Sequence, residues 1–190
     1  PAKTLKELID IARRSPNKLS YASGGIGSTP HLSGELLKSL TKTQIVHVPY
    51  KGGALGLVGA MSGEVDIVFT TMSAAAASYV NEGKMRGLAI LDKKRVVSID
   101  KVPTSAEAGL PQLIAINWYI LLAPAGTPRE IIDRLNAEAA KIMQLAETRE
   151  RFLAVGGEPS TATPEQTAEF LRAEFARWSK VIKDAGIRAE

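Results

Sequence analysis

Four short apolar runs, KLSYAS (18–23), QIVHVPY (44–50), EVDIVFTT (64–71) and KMRGLAIL (84–91), are separated by three helical runs. The connections between them are only a few residues long. Strand–helix alternation of this kind is the pattern of a parallel sheet covered by helices. The runs are continuously apolar rather than alternating, as strands buried on both faces are. The expected fold class is therefore α/β, with a parallel-rich sheet.

Helix boundaries are marked by spacing. Thr4 and Glu7, Thr104 and Glu107, Thr127 and Glu130, and Thr163 and Gln166 each place a hydroxyl three residues before an acid or amide. Such a pair can satisfy two orphan N–H groups reciprocally. Ser28 or Thr29 is expected to cap the helix that begins near Pro30, and Pro128 and Pro164 suit first helical positions. The inward faces are expected to be Leu5, Leu8, Ile9 and Ala12, then Leu32, Leu36, Leu37 and Leu40.

The pattern changes after residue 91. Residues 92–112 are polar and punctuated by Pro and Gly, with one short helix expected. IAINWYILLAPAG (114–126) reads as a long strand, with Trp118 in the core. Three amphipathic helices close the chain, the first with Ile131, Leu135 and Ile142 on one side. The last carries Leu171, Phe175, Trp178 and Ile182 inward. This half has helices in excess of the sheet they would cover.

Composition removes several function classes. The net charge is +4, but 24 Lys and Arg are scattered among 20 acids without a run of like charge. That disfavours a nucleic-acid partner. Cysteine is absent, which excludes disulfides and thiolate chemistry. The two histidines, His31 and His47, have no third or fourth ligand spaced nearby, so neither a metal nor another cofactor is expected. His31 reads as a helix-terminal residue packing beside the preceding loop, or pairing with Glu35, and His47 as structural. A Ser23–His31–Asp66 triad lacks the Gly-x-Ser-x-Gly elbow. Glu64 and Asp66 bracket one strand start and are expected to face solvent. No catalytic residue is assigned.

Three strand-to-helix junctions carry the candidate site. SGGIGST supplies Ser23, Gly24, Gly25, Gly27, Ser28 and Thr29. It fails the dinucleotide fingerprint because Pro30 stands where a third Gly is needed, and no Gly-Lys-Ser/Thr follows. By itself it serves equally as a turn and cap. The second junction supplies Tyr50, Lys51, Gly52 and Gly53, and the third Thr70 and Thr71. In a parallel sheet these junctions share the edge where ligands of open α/β sheets bind. Amides, hydroxyls and helix N-termini there favour an anion.

The stretches KTLKELIDIARRSPNKLSYASGGIGSTPHLSGELL, IVHVPYKGGA, GEVDIVF, GKMRGLAI, VPTSAEAGLP, NWYILLAPAGTPREIIDRLNAE and WSKVIKDAGI occur in this order. Together they resemble the substrate-binding proteins of tripartite tricarboxylate transporters, the Bug receptors. The resemblance implies a periplasmic, non-enzymatic solute receptor of the two-lobed, type II periplasmic-binding-protein kind. It would capture a small organic acid and deliver it to the transporter's membrane components. The family's second-lobe ligand loop matches Ser23 to Thr29. Thr70 and Thr71 stand where many members have Asp-Asn, which disfavours ligands bearing an amino group.

The same resemblance implies a complete second lobe over residues 1–112 and a partial first lobe over 113–190. The sequence opens PAKTLKELID, without an initiator Met or an apolar leader. A chain processed or cut from something longer is expected, with apolar surface available for self-association. The rival reading is the effector-sensing domain of a transcription regulator with the same two-lobed architecture.

Overall fold

The strand SYAS sits at the centre of the structure, a computed structural model that describes residues 2–188. It forms β1 (Ser20–Ser23), with Tyr21, Ala22 and Ser23 fully buried. β2 (Val46–Pro49) and β3 (Ile67–Val68) flank it, both parallel, in the order β2-β1-β3. The register pairs Tyr21 with His47 and with Ile67. The third expected strand shrinks to two residues. Its start is held by a side chain instead: Asp66 accepts from the Ser20 N–H at 2.8 Å and from its hydroxyl at 3.0 Å.

Five segments cover or flank this sheet. α1 (Leu5–Arg14) buries Leu5, Leu8 and Ala12, and Thr4 caps it by accepting from the Glu7 N–H. α2 (Thr29–Thr41) is capped by Ser28 and buries Leu36 and Leu37, while Leu40 stays exposed. α3 (Gly53–Ser62) ends at Gly63 in the left-handed region. α4 is Ala74–Asn81, and a 3-10 turn covers Val97–Ile99. α2 packs on β1 and β2, and α3 on β1 and β3. Right-handed crossovers require this: the chain leaves β1 towards one side and returns across it, so α2 and α3 take opposite faces.

The second half departs from expectation. Residues 114–126 form no strand of the sheet; the Ala115 N–H donates to the Leu91 carbonyl, and the segment then runs on extended. A strand is a partnered object, and an apolar β-branched run without a regular ladder stays irregular. KMRGLAIL likewise contributes one bridge, Ile90 to Thr104, rather than a strand. Thr104 and Glu107 make both capping-box bonds, at 3.2 and 2.7 Å, but they close turns instead of a helix.

α5 (Arg129–Gln144), α6 (Ala146–Ala154) and α7 (Pro164–Ala185) follow. Thr163 and Gln166 complete their capping box. Thr127 does not: α5 begins at Arg129, with Pro128 in the cap position and no side-chain cap, and the Thr127 hydroxyl donates to the Pro124 carbonyl. Core assignments fail at Trp118 and Phe175, as at Leu40. Trp118 is 39% exposed, set edge-on against Phe170 with its N–H on Glu174. Phe175 is 77% exposed, while Val181 of α7 is buried. Ile131, Leu135 and Ile142 share a side of α5, yet all three are exposed.

The chain divides into two compact units. One comprises Pro1–Thr71, Ala75–Asn117 and Lys180–Glu190; the other comprises Met72–Ala74 and Trp118–Ser179. The first contains the sheet. In its core the Tyr21 ring occupies the space above Gly34 of α2, where an added Cβ would come within 2.4 Å of the ring. The Gly34→Ala variant is expected to lose about 1–3 kcal/mol of stability through overpacking. Chemical denaturation followed by tyrosine fluorescence checks this.

Candidate functional site

Two of the three junctions meet directly. β1 runs into the turn 24–28, and β2 into 50–52. The Gly52 N–H donates to the Gly24 carbonyl at 3.3 Å, and the Tyr50 N–H to the Ser23 carbonyl at 3.1 Å. A Cβ on Gly24 would lie 3.2 Å from the Gly53 nitrogen. Gly25 and Gly52 adopt φ of +126° and +107°. The approach of the two backbones therefore depends on glycine. The third junction is near: Thr70 Oγ1 lies 3.6 Å from where a Cβ of Gly53 would stand, and it donates to the Thr71 carbonyl.

Because α2 and α3 lie on opposite faces, the β1–α2 and β2–α3 turns diverge at this point. That is the topological switch point, where open α/β sheets take ligands. Several donors in the first turn are spent on the turn itself. The Gly25 N–H bonds Ser23 Oγ, the Gly27 N–H bonds His31 Nδ1, and the Ser28 N–H bonds the Gly25 carbonyl. The N–H groups of Gly24, Ile26 and Thr29 donate to no acceptor among the described residues. Thr29 and Gly53 open α2 and α3, whose N-terminal dipoles are positive. Lys51 is exposed and supplies the one cationic side chain of the set.

The individual side chains take different places. Ser23 is fully buried, with its hydroxyl between His47 Nε2 (2.7 Å) and Gly25. Ser28 Oγ donates to the Gly25 carbonyl and caps α2. Tyr50 turns onto Gly59 of α3, leaving its backbone in the turn; burial and then the nearby Glu64 carboxylate raise its pKa. Thr71 is exposed. Asp66 bonds Ser20, so Ser23, His31 and Asp66 do not form a triad. Asn117 was not foreseen: the Thr29 hydroxyl donates to its Oδ1 at 3.4 Å. Its signal was a lone amide closing the apolar run IAI.

Among the described residues no group of three metal-ligating side chains occurs, and no helix is long and apolar enough to cross a membrane.

A helix-covered parallel sheet with donor-rich turns at its switch point is the architecture in which open α/β sheets take ligands. Residues 1–187 match the model of the tripartite tricarboxylate transporter family receptors, and the chain belongs to that family. It is a family of binding proteins, not of enzymes. The chain is 34% identical to Protein BugT of Bordetella pertussis over 185 residues, which is 97% of this chain and 56% of BugT. Its structure matches that of R. palustris Rpa4515 with adipate at 36% identity and a TM-score of 0.79, covering 98% of this chain and 62% of that one. MatC of Rhodopseudomonas palustris with bound malate matches at 29% identity and a TM-score of 0.73, covering 96% and 63%. The chain thus spans 56–63% of the length of these relatives.

Gly52, at φ +107° and ψ 155°, holds a conformation essentially reserved for glycine. Gly52→Ala is expected to cost about 1–3 kcal/mol. A lowered denaturation midpoint at unchanged far-ultraviolet dichroism is the measurement.

Proposed function

We propose that this chain is the ligand-capturing part of an extracytoplasmic receptor that takes up a small dicarboxylate for a tripartite tricarboxylate-type transporter. Residues 1–112 form the second lobe, which holds the acid, and residues 113–190 belong to the first lobe, which the chain supplies in part. The observation that carries this reading is the meeting of two glycine turns at the switch point, with unspent amides and Lys51 beside them. A carboxylate is matched there by backbone N–H groups, two helix N-termini and one ammonium. Thr70 and Thr71 add neutral hydroxyls, which suits an acid without an amino group. The adipate and malate of the two solved relatives are the chemistry expected here. Family membership supports a periplasmic location and delivery to membrane partners as parts of the same reading.

Calorimetric titration with adipate and malate, with adipamide as the uncharged control, tests the proposal. Heat is expected with at least one acid and none with the diamide. Lys51→Met is expected to weaken binding about tenfold, since a hydrogen bond to a charged group contributes ~1.5–3 kcal/mol. Silence with both acids, or equal heat with adipamide, overturns the dicarboxylate assignment.

A further inference from the structure

Beneath the first glycine turn lies a polar stack that the proposed binding chemistry leaves unused. The rings of His31 and His47 lie 4.0 Å apart and nearly parallel, at 12°. The Tyr21 ring stacks on the other side of His47 at 4.7 Å. Each histidine reaches the turn. His31, at the start of α2, accepts the Gly27 N–H at Nδ1, 3.0 Å away. His47, on β2, is 2.7 Å from Ser23 Oγ, which in turn holds Gly25.

The Gly27 bond fixes the chemistry. An amide N–H can only donate, so Nδ1 of His31 must present a lone pair. The ring is therefore neutral in this arrangement, with any proton on Nε2. Protonation at Nδ1 would set two donors facing each other across 3.0 Å. Protonating both rings would also place two cations 4.0 Å apart in a partly buried stack.

We propose that His31, backed by His47, is the positioning residue of the ligand turn: its neutral imidazole holds Gly27, and protonation releases the turn. The inference rests on the reading that residues 23–29 bind the ligand. Acidification would then loosen the turn that the acid must find ordered.

The surrounding groups are consistent with a neutral stack at neutral pH. Tyr21 faces it from β1, and Glu35 and Lys38 from α2; Lys42 and, from α7, Asp184 share the groove lined by Glu35 and Lys38. Glu35 is already engaged by the Tyr21 hydroxyl and by Lys38, each at 2.7 Å. Burial lowers the pKa of His31, Glu35 opposes the shift and Lys38 adds to it. Burial and the neighbouring His31 bring His47 down to about 4. Both folded-state values lie below the ordinary histidine value of about 6.5. The stack's contribution is thus complete above that pH and is lost as pH falls through the folded values.

Amide-resolved NMR of the full chain between pH 8 and pH 4 tests this, with adipate as probe. The Gly27 amide resonance is expected to move with the His31 imidazole and to lose roughly fivefold of its exchange protection, the factor one ordinary hydrogen bond contributes. His31→Asn keeps an acceptor at the same reach but does not titrate. It should hold Gly27 protected at every pH, whereas His31→Leu should leave it unprotected at every pH. The ratio of adipate affinities, His31→Asn over wild type at each pH, cancels the ligand's own protonation and is expected to rise on acidification. A Gly27 amide that ignores the imidazole titration in the wild type overturns the inference. A Gly27 amide that follows it, while adipate leaves residues 23–29 unmoved at every pH, sustains the positioning role and overturns the anion site.

Discussion

The fully buried Tyr21 ring on the central strand organises the sheet-bearing unit. Its face takes the weight of His47, its edge meets Phe69, and its hydroxyl crosses to Glu35 on α2 at 2.7 Å. Burial first, and then Glu35, raise its pKa far above the ordinary phenol value, so it remains a donor at any physiological pH. That donor satisfies a carboxylate drawn into the core, and the contact is possible because residue 34 has no side chain. The helix that opens at the ligand turn is thereby seated on the strand that leads into it. Sequence neighbours on either side of one turn are locked together beneath it.

The binding chemistry proposed for this unit is made mainly by backbone. Several side chains that the junctions contribute face inward or sideways: Ser23 braces Gly25, Ser28 caps α2, and Tyr50 lies along α3. What remains at the edge is a set of amides, two helix ends and an ammonium. Such a surface reads charge and shape more than it reads functional groups. It is compatible with a family whose solved members carry adipate and malate, acids of different length and substitution.

Much of the sheet-bearing half was legible in the sequence because its signals were local. Caps at Thr4 and Ser28 and the apolar runs around Tyr21 and His47 each act within a few residues. The meeting of Gly24 with Gly53 was not legible, because it depends on strand order. The failures share one cause. The run 114–126 has strand composition, and Trp118 and Phe175 have core character, but strands and cores are made by partners elsewhere. Thr127 missed its cap because the helix starts later than the spacing implies, at Arg129 after Pro128. His31 reads in the sequence as packing beside the loop and His47 as structural, yet their mutual stacking joins β2 to α2 and leaves no trace in spacing.

The clamp between Asp66 and Ser20 has a mechanical consequence. β3 contributes two residues to the ladder, too few to hold itself, and the carboxylate grips β1 at the amino end of the pair. The sheet is thus riveted at the end remote from its turns. Any twist or splay between strands pivots about that rivet and is greatest at the opposite edge. The third junction, carried on the shortest strand, then has the longest lever relative to its anchorage. Under the proposed function, this is the part of the rim with the least ladder behind it, held last by the Phe69 N–H on the Ala22 carbonyl, and the stacked core lies below it.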